Sequence, residues 1–476
     1  MRFTRREFLR TSLGAGLALP AARAFPSWAS ADEPWIGFPD PSRGLRGDSS
    51  VGALLRAGGS LPAPSAAVRR ISAAEAPLAL RYPDLARHFV FEYYPWYGAD
   101  PFRHWQQDDR NPPFDLASNH MPLLGAYDSR AAAVIERHAR WIADAGVGAV
   151  NLSWWGKGSY EDLTAHLVMD VMRAHGLKVT FHLEPYVHEH GQRFAEDVLY
   201  LLQEFGDKRR FDALLLLRDE SGAMGPVFKG FRTLLPTTSR DCHGVTRPVT
   251  DYTPDDAYRR QFDPLRGLLR GDFDHVTLLA DTTDAARAQR AGFDGVAIYD
   301  NFVGPERYPA IAAGASSEGI VFSLNVNPGY DGIDERVVAP DSCFTPSPFE
   351  PGGQDLDFTD PGDRERAALR ARLRITRSLE STLAVQTDPS LANDKRGFLL
   401  VYVNSFNEWH EGHEFEPMKD AADLLPEERP FGYHNPEDGD YRIASLTELL
   451  GGVLEPRGHD VLARRAGGFA PARAMG

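Results

Sequence analysis

From about residue 87 the chain alternates between short runs of strand character and longer segments of helical period, and that alternation limits its fold more than any other feature. Candidate strands are 88–97, 148–155, 178–186, 212–217, 275–281, 295–299, 319–327 and 398–405. Between several of them apolar residues recur every three or four positions. Ala131, Ile135, Ala139 and Ile142 lead to Gly146, and Leu163, Leu167, Val168, Val171 and Met172 lead to Gly176. Phe194, Val198, Leu201, Leu202 and Phe205 lead to Gly206. Each glycine stands where a helix can end in a left-handed residue. Eight strands separated by such helices predict an α/β fold, a (β/α)8 TIM barrel rather than an open doubly wound sheet. Neither a dinucleotide-binding glycine pattern nor a P-loop follows the first strand, which removes both nucleotide readings.

A single barrel needs a large core, and 476 residues with 42% hydrophobic and 25% charged content can supply one. We assign residues 87–455 to this single catalytic domain, 456–476 to a C-terminal tail, and 32–86, rich in Gly, Pro, Ser and Ala, to an N-terminal linker or strap. Residues 1–31 read as a twin-arginine signal peptide. Arg5-Arg6 is followed by Phe8-Leu9, a mildly apolar stretch and small-residue cleavage sites after Ala24 or Ala31. The expected partner is then the twin-arginine export machinery, and the expected location periplasmic or secreted. No uninterrupted apolar run reaches the ~18 residues of a membrane span, so no transmembrane span is expected. A net charge of −15 is repelled by phosphate backbones, and nucleic acid is not an expected partner. Cys242 and Cys343 are too few for a cysteine zinc site; one bridge or two separate thiols remain open.

A barrel places its chemistry at the carboxyl ends of the strands. The third candidate strand ends Phe181-His182-Leu183-Glu184-Pro185-Tyr186, and strand periodicity turns His182 and Glu184 to one face. The second turns Asn151, Ser153 and Trp155 together, and the seventh offers Ser323, Asn325 and Asn327. The last runs into Asn404-Ser405-Phe406-Asn407-Glu408-Trp409-His410-Glu411. Glu408 and Glu411 are two carboxylates three residues apart beside aromatic and imidazole groups. That suits acid/base work on a glycosidic bond, where one carboxyl holds a proton and the other is ionised. Trp96, Trp105, Trp154, Trp155 and Trp409, with Tyr93, Tyr94, Tyr97 and Tyr186, fall at strand ends or in the loops after them. Aromatic rings with many polar neighbours suit a sugar, whose C–H face stacks while its hydroxyls take hydrogen bonds. The competing reading is a metal site at His182, Glu184, His188, Glu189 and His190, but their spacing is not that of a helical H-E-x-x-H motif. We expect neither metal nor cofactor.

Six motifs occur in order: Tyr93-Tyr94-Pro95-Trp96-Tyr97-Gly98, His104-Trp105, Gly125-Ala126-Tyr127-Asp128-Ser129, Ser153-Trp154-Trp155-Gly156, Phe181 to Tyr186, and Ser405 to Gly412. Over residues 88–450 the chain resembles glycoside hydrolase family 99, the endo-α-mannosidase and endo-α-mannanase family, and its wider family 71/99-like relatives. The resemblance implies a (β/α)8 barrel and metal-free cleavage of internal α-mannosidic linkages in an oligo- or polysaccharide, with retention of configuration. It implies a 1,2-anhydro sugar intermediate, with Glu408 as base on the sugar 2-hydroxyl and Glu411 as acid/base. It also implies that Tyr94, His104, Trp155, Glu184 and Tyr186 line the −1 subsite; with Trp96, Trp105, His182, Asn327, Tyr330, Asn407 and Trp409 these make up the substrate-binding candidates. The scheme asks that Glu411 be protonated at rest.

The chain departs from the family in its loops. Glu411-Gly412-His413-Glu414-Phe415-Glu416 stands where the family reads E-G-T-Q-I-E, adding a histidine and a carboxylate. Pro328-Gly329-Tyr330 survives, but Asp331-Gly332-Ile333-Asp334 and Ala339-Pro340-Asp341 replace what usually follows. Tyr299-Asp300-Asn301 lies in the region of a tyrosine-rich element that is otherwise unrecognisable. Two other outcomes therefore stay open at this level: another α-glycan as substrate, or a non-hydrolytic glycan-binding or polysaccharide-assembly protein on the same barrel.

Overall fold

The computed structural model describes residues 78–454, apart from 108, 189, 207–210, 242, 335–347 and 353–355. The signal peptide, most of the strap, the C-terminal tail and both cysteines lie outside the described residues. The described end of the strap is a short helix, Leu78–Arg81, and a 3-10 turn, Leu85–His88, with Leu78, Tyr82 and Leu85 buried.

Eight strands alternate with eight helices. In chain order these are β1 (Phe89–Tyr93), α1 (Ala132–Asp144), β2 (Ala149–Trp154), α2 (Tyr160–Ala174), β3 (Lys178–Leu183), α3 (Phe194–Leu201), β4 (Met224–Gly230) and α4 (Asp255–Leu269). They continue as β5 (Thr277–Ala280), α5 (Ala285–Ala291), β6 (Gly295–Ala297), α6 (Tyr308–Ser317), β7 (Val321–Ser323), α7 (Pro361–Gln386), β8 (Val401–Val403) and α8 (Tyr441–Leu454). Every neighbouring pair from β1 to β7 is parallel, and β8 pairs parallel with β1. A parallel bridge between Val326 and Val403, with Val326 N–H donating to Tyr402 O at 2.8 Å, joins the β7 segment to β8 and closes the ring. The fold is the (β/α)8 barrel that the alternation predicts.

The helices form where the apolar period places them. Ile135, Ala139 and Ile142 of α1 are buried, as are Phe194, Val198 and Leu201 of α3. In α2 the buried stripe runs through Ala165, Val168, Met169 and Met172, and Leu163 faces outward at 72% exposure. Ser159 caps α2 by accepting the Asp162 N–H.

The fourth strand is a correction. The sequence points to 212–217, a run of leucines after Ala213, whereas the barrel strand is β4. Leu216–Arg218 only pairs antiparallel against β4, and Leu214 bridges to Val179 of β3. Pro226 and Lys229 make β4 read as loop. Its backbone is nonetheless shared between β3 and β5, and Lys229 is fully buried inside the barrel, where it meets Glu92.

Candidate active site

Inside the barrel, alternate residues of β1 to β4 point inward and build a polar floor. Lys229 Nζ donates to Glu92 Oε1 at 2.7 Å, and Asn151 Nδ2 donates to Glu92 Oε2 at 2.8 Å. His182 Nδ1 lies 3.3 Å from the same oxygen and 3.7 Å from Glu184 Oε1. Burial alone would raise the Glu92 carboxyl, but Lys229 and His182 outweigh it and hold it down at about 2. Glu184 is different. Burial dominates and pushes it above its ordinary value, although Ser153 Oγ donates to it at 2.9 Å. The Trp155 indole in turn donates to Ser153 Oγ at 3.1 Å, which fixes the ring over the cavity.

Above this floor a cavity of about 350 Å³ opens at the carboxyl ends of the strands. Its walls include Tyr94, Trp96, Trp155, His182, Glu184, Tyr330, Glu408 and Glu411, all candidates from the sequence. Gln107, Phe231, Tyr299, Ile333 and His410 complete it. Phe231 follows β4, so misplacing that strand hides it. Tyr299 and His410 sit in segments that the sequence does single out, without a role attached to them.

The remaining candidates stand behind the wall. His104 stacks on Trp96 with ring centroids 4.6 Å apart, and burial lowers its imidazole to about 3. Trp105 stacks on Tyr97 at 4.1 Å, and its indole donates to Tyr127 O. Tyr186 donates to Asp197, and its ring leaves no room for a side chain at Gly156, where a Cβ would lie 2.5 Å from the ring and φ is +94°. Asn327 is buried, donating to Asn325 and accepting from Arg374. Asn407 grips the backbone of Tyr94 from both sides, accepting its N–H and donating to its carbonyl. The Trp409 indole donates to Glu416 at 3.0 Å. These six position the walls. Of the competing metal reading, Glu189 lies outside the described residues, and among the described residues no group of three or more His, Cys, Asp or Glu could hold an ion.

The β8 loop carries the two carboxyls on opposite terms. Glu408 is deep, with 4% of its side chain exposed, and accepts the His410 N–H at 3.0 Å. Burial and then the charge of Glu411 hold its carboxyl well above the ordinary range. Glu411 reaches the mouth, with 37% of its side chain exposed. Burial pushes its carboxyl up, but His413 Nε2 at 2.7 Å and the Tyr299 hydroxyl at 2.9 Å outweigh that and hold it below the ordinary value. Both contacts fall on Oε2. Tyr94 donates to the Tyr299 hydroxyl at 3.0 Å, extending this chain across the cavity. The surroundings thus favour the carboxylate at Glu411 and the protonated form at Glu408, the opposite direction to the rise expected of Glu411. The cause is the histidine by which this loop departs from the family. The other departure, Glu414, points away from the cavity and is met by Arg442 of α8 at 2.8 Å and His120 at 3.1 Å.

Comparison with known proteins agrees with this geometry. Residues 86–216 match the family model for glycosyl hydrolase family 99. The chain is 25% identical over 376 residues to a glycoprotein endo-alpha-1,2-mannosidase of Mus musculus, covering 71% of this chain and 70% of that protein. It is 23% identical to the Xenopus laevis protein of the same name, covering 82% of each. The GH99 endo-alpha-mannosidase of Bacteroides thetaiotaomicron superposes with a TM-score of 0.53 at 20% identity, over 80% of this chain and 99% of that one.

Proposed function

We propose that this chain, a glycoside hydrolase of the family 99 type, is an exported endo-acting enzyme that cleaves α-mannosidic linkages with retention of configuration. The observation that carries the reading is the meeting of Glu408, Glu411, Trp96, Trp155 and Tyr94 around one cavity at the carboxyl end of the barrel. The indole and phenol rings take the apolar faces of sugars, and Glu184, Gln107 and His410 offer hydrogen-bonding partners to hydroxyls. Glu408, buried in the cavity wall, is the base on the 2-hydroxyl, whose oxygen attacks the anomeric carbon to form a 1,2-anhydro sugar. Glu411, at the mouth, protonates the departing glycosidic oxygen and then activates the water that opens the anhydro ring. The curated relatives named endo-alpha-1,2-mannosidase support mannose as the sugar and an internal bond as the point of cleavage.

The test is to incubate the purified mature protein with α-mannans and other α-glycans, following anomeric signals by NMR, with Glu411→Gln and a chelator in parallel. Wild-type product should retain the α configuration and be indifferent to chelator, and Glu411→Gln should lose about 10²-fold or more on an unactivated glycan. Full turnover by Glu411→Gln would sink the assignment.

A further inference from the structure

Glu411 must deliver a proton, yet its surroundings favour the carboxylate. His413 lies where it can resolve this. The ring is 1% exposed, with Nε2 2.7 Å from Glu411 Oε2 and Nδ1 3.0 Å from Ser405 Oγ. Each ring nitrogen thus faces an oxygen, an arrangement that an imidazolium, with two N–H donors, satisfies completely. Ser405 Oγ also accepts the backbone N–H of Glu408 at 2.8 Å, so one hydroxyl anchors both the ring and the base. The titratable groups that meet the ring are Glu411 of the same loop and Tyr299 after β6, whose ring lies edge-on to it. Next in the chain is Glu414, whose charge Arg442 meets.

We propose that His413 is the proton partner of Glu411: it stores the leaving-group proton on Nε2 and passes it to the carboxyl once a glycan closes the mouth. This rests on the α-glycosidase reading above. In the step, the Nε2–H bond breaks, Oε2–H forms, and a neutral imidazole is left. Glu411 then gives its proton to the glycosidic oxygen, which leaves as an alcohol. The proton that Glu411 takes from the attacking water then returns from Oε2 to His413 Nε2, which resets the pair. A glycan over the mouth favours the transfer because it removes water from a carboxylate that is otherwise partly solvated.

His413→Gln is the discriminating variant, because it keeps an N–H donor for Glu411 but cannot carry the proton. On an α-mannan oligosaccharide, kcat should fall by about tenfold or more with KM within about twofold. On a dinitrophenyl α-mannoside, whose leaving group departs without a proton, the rate should stay within about twofold of wild type. The basic limb of kcat against pH should move to lower pH, since a carboxyl alone ordinarily loses its proton earlier than an imidazolium. Equal losses on both substrates, or none on either, would overturn the role. Failure of the wild type on both would instead overturn the glycosidase reading beneath it, and the role with it. Should His413→Gln not fold, His413→Asn is read on the same two substrates: the same split between them is the expected result, and equal losses on both overturn the proposal.

Discussion

Glu408 shows how much one buried carboxyl costs. It sits at 3% exposure with Glu411 as neighbour, and burial followed by that charge raises its carboxyl. A carboxyl raised in the fold contributes stability below its unfolded value of 4.5, and loses it as pH rises towards the folded value. At neutral pH the site is therefore held at the expense of stability, as active sites often are. Glu408→Gln, neutral at every pH and of the same shape, should abolish turnover. It should also gain about 1 kcal/mol of stability at pH 7, a gain that vanishes below about pH 4. Thermal melts at the two pH values check it, and a loss of stability at pH 7 would show that the site does not strain this carboxyl. Residue identity made the pair legible, because E-x-x-E after a barrel strand is a short, local pattern. Which way each carboxyl is biased was not legible, since that depends on Tyr299, brought in from after β6, and on the direction in which the His413 ring turns within the loop.

At the level of elements, β4 matters most. The Lys229–Glu92 pair joins it to β1 across the barrel, with both side chains fully buried. Glu92 is held low, at about 2, so its contribution is present above the unfolded value of 4.5 and is lost as pH falls from there towards 2. Lys229→Met should cost about 3–5 kcal/mol by taking the lysine cation away from the buried Glu92 carboxylate, and adding Glu92→Gln should recover a large part of that. Denaturant unfolding of the single and double variants measures both, and equal stability of the two would exclude a charge effect. The other barrel strands were readable because apolar period and glycine stops are local. β4 was not, because Pro226 and Lys229 make sense only once the closed barrel supplies a partner for the cation. α2 teaches the same point in a milder form, since Leu163 fits the period yet faces out.

Over the whole molecule, the ring of parallel strands gathers wall residues from Tyr94 to Glu411 around one mouth. Among the described residues no helix is long and apolar enough to cross a membrane. We propose export through the twin-arginine route on the strength of Arg5-Arg6 and the cleavage sites after Ala24 and Ala31. Replacing Arg5 and Arg6 by lysine should hold the precursor in the cytoplasm, while the native chain yields a mature form beginning at Phe25 or Asp32. Cell fractionation with N-terminal sequencing reads this, and an unprocessed cytoplasmic native chain would refute it.

The sequence by itself determined the barrel, the strand ends that bear polar groups, the carboxyl pair and the family likeness. All of these are written in local period or in short ordered motifs. Only the tertiary structure decided which aromatics face the glycan and which hold the wall. Trp96 and Trp155 line the cavity while Trp105 and Trp409 pack behind it, a difference of side-chain direction that no spacing encodes. It also decided that His413 meets Glu411 and Glu414 meets Arg442. Two substitutions one position apart in the chain thus meet a cavity carboxyl in one case and a buried cation behind the wall in the other. Alternate residues of an extended loop point in opposite directions, and only the folded barrel says what lies on each side.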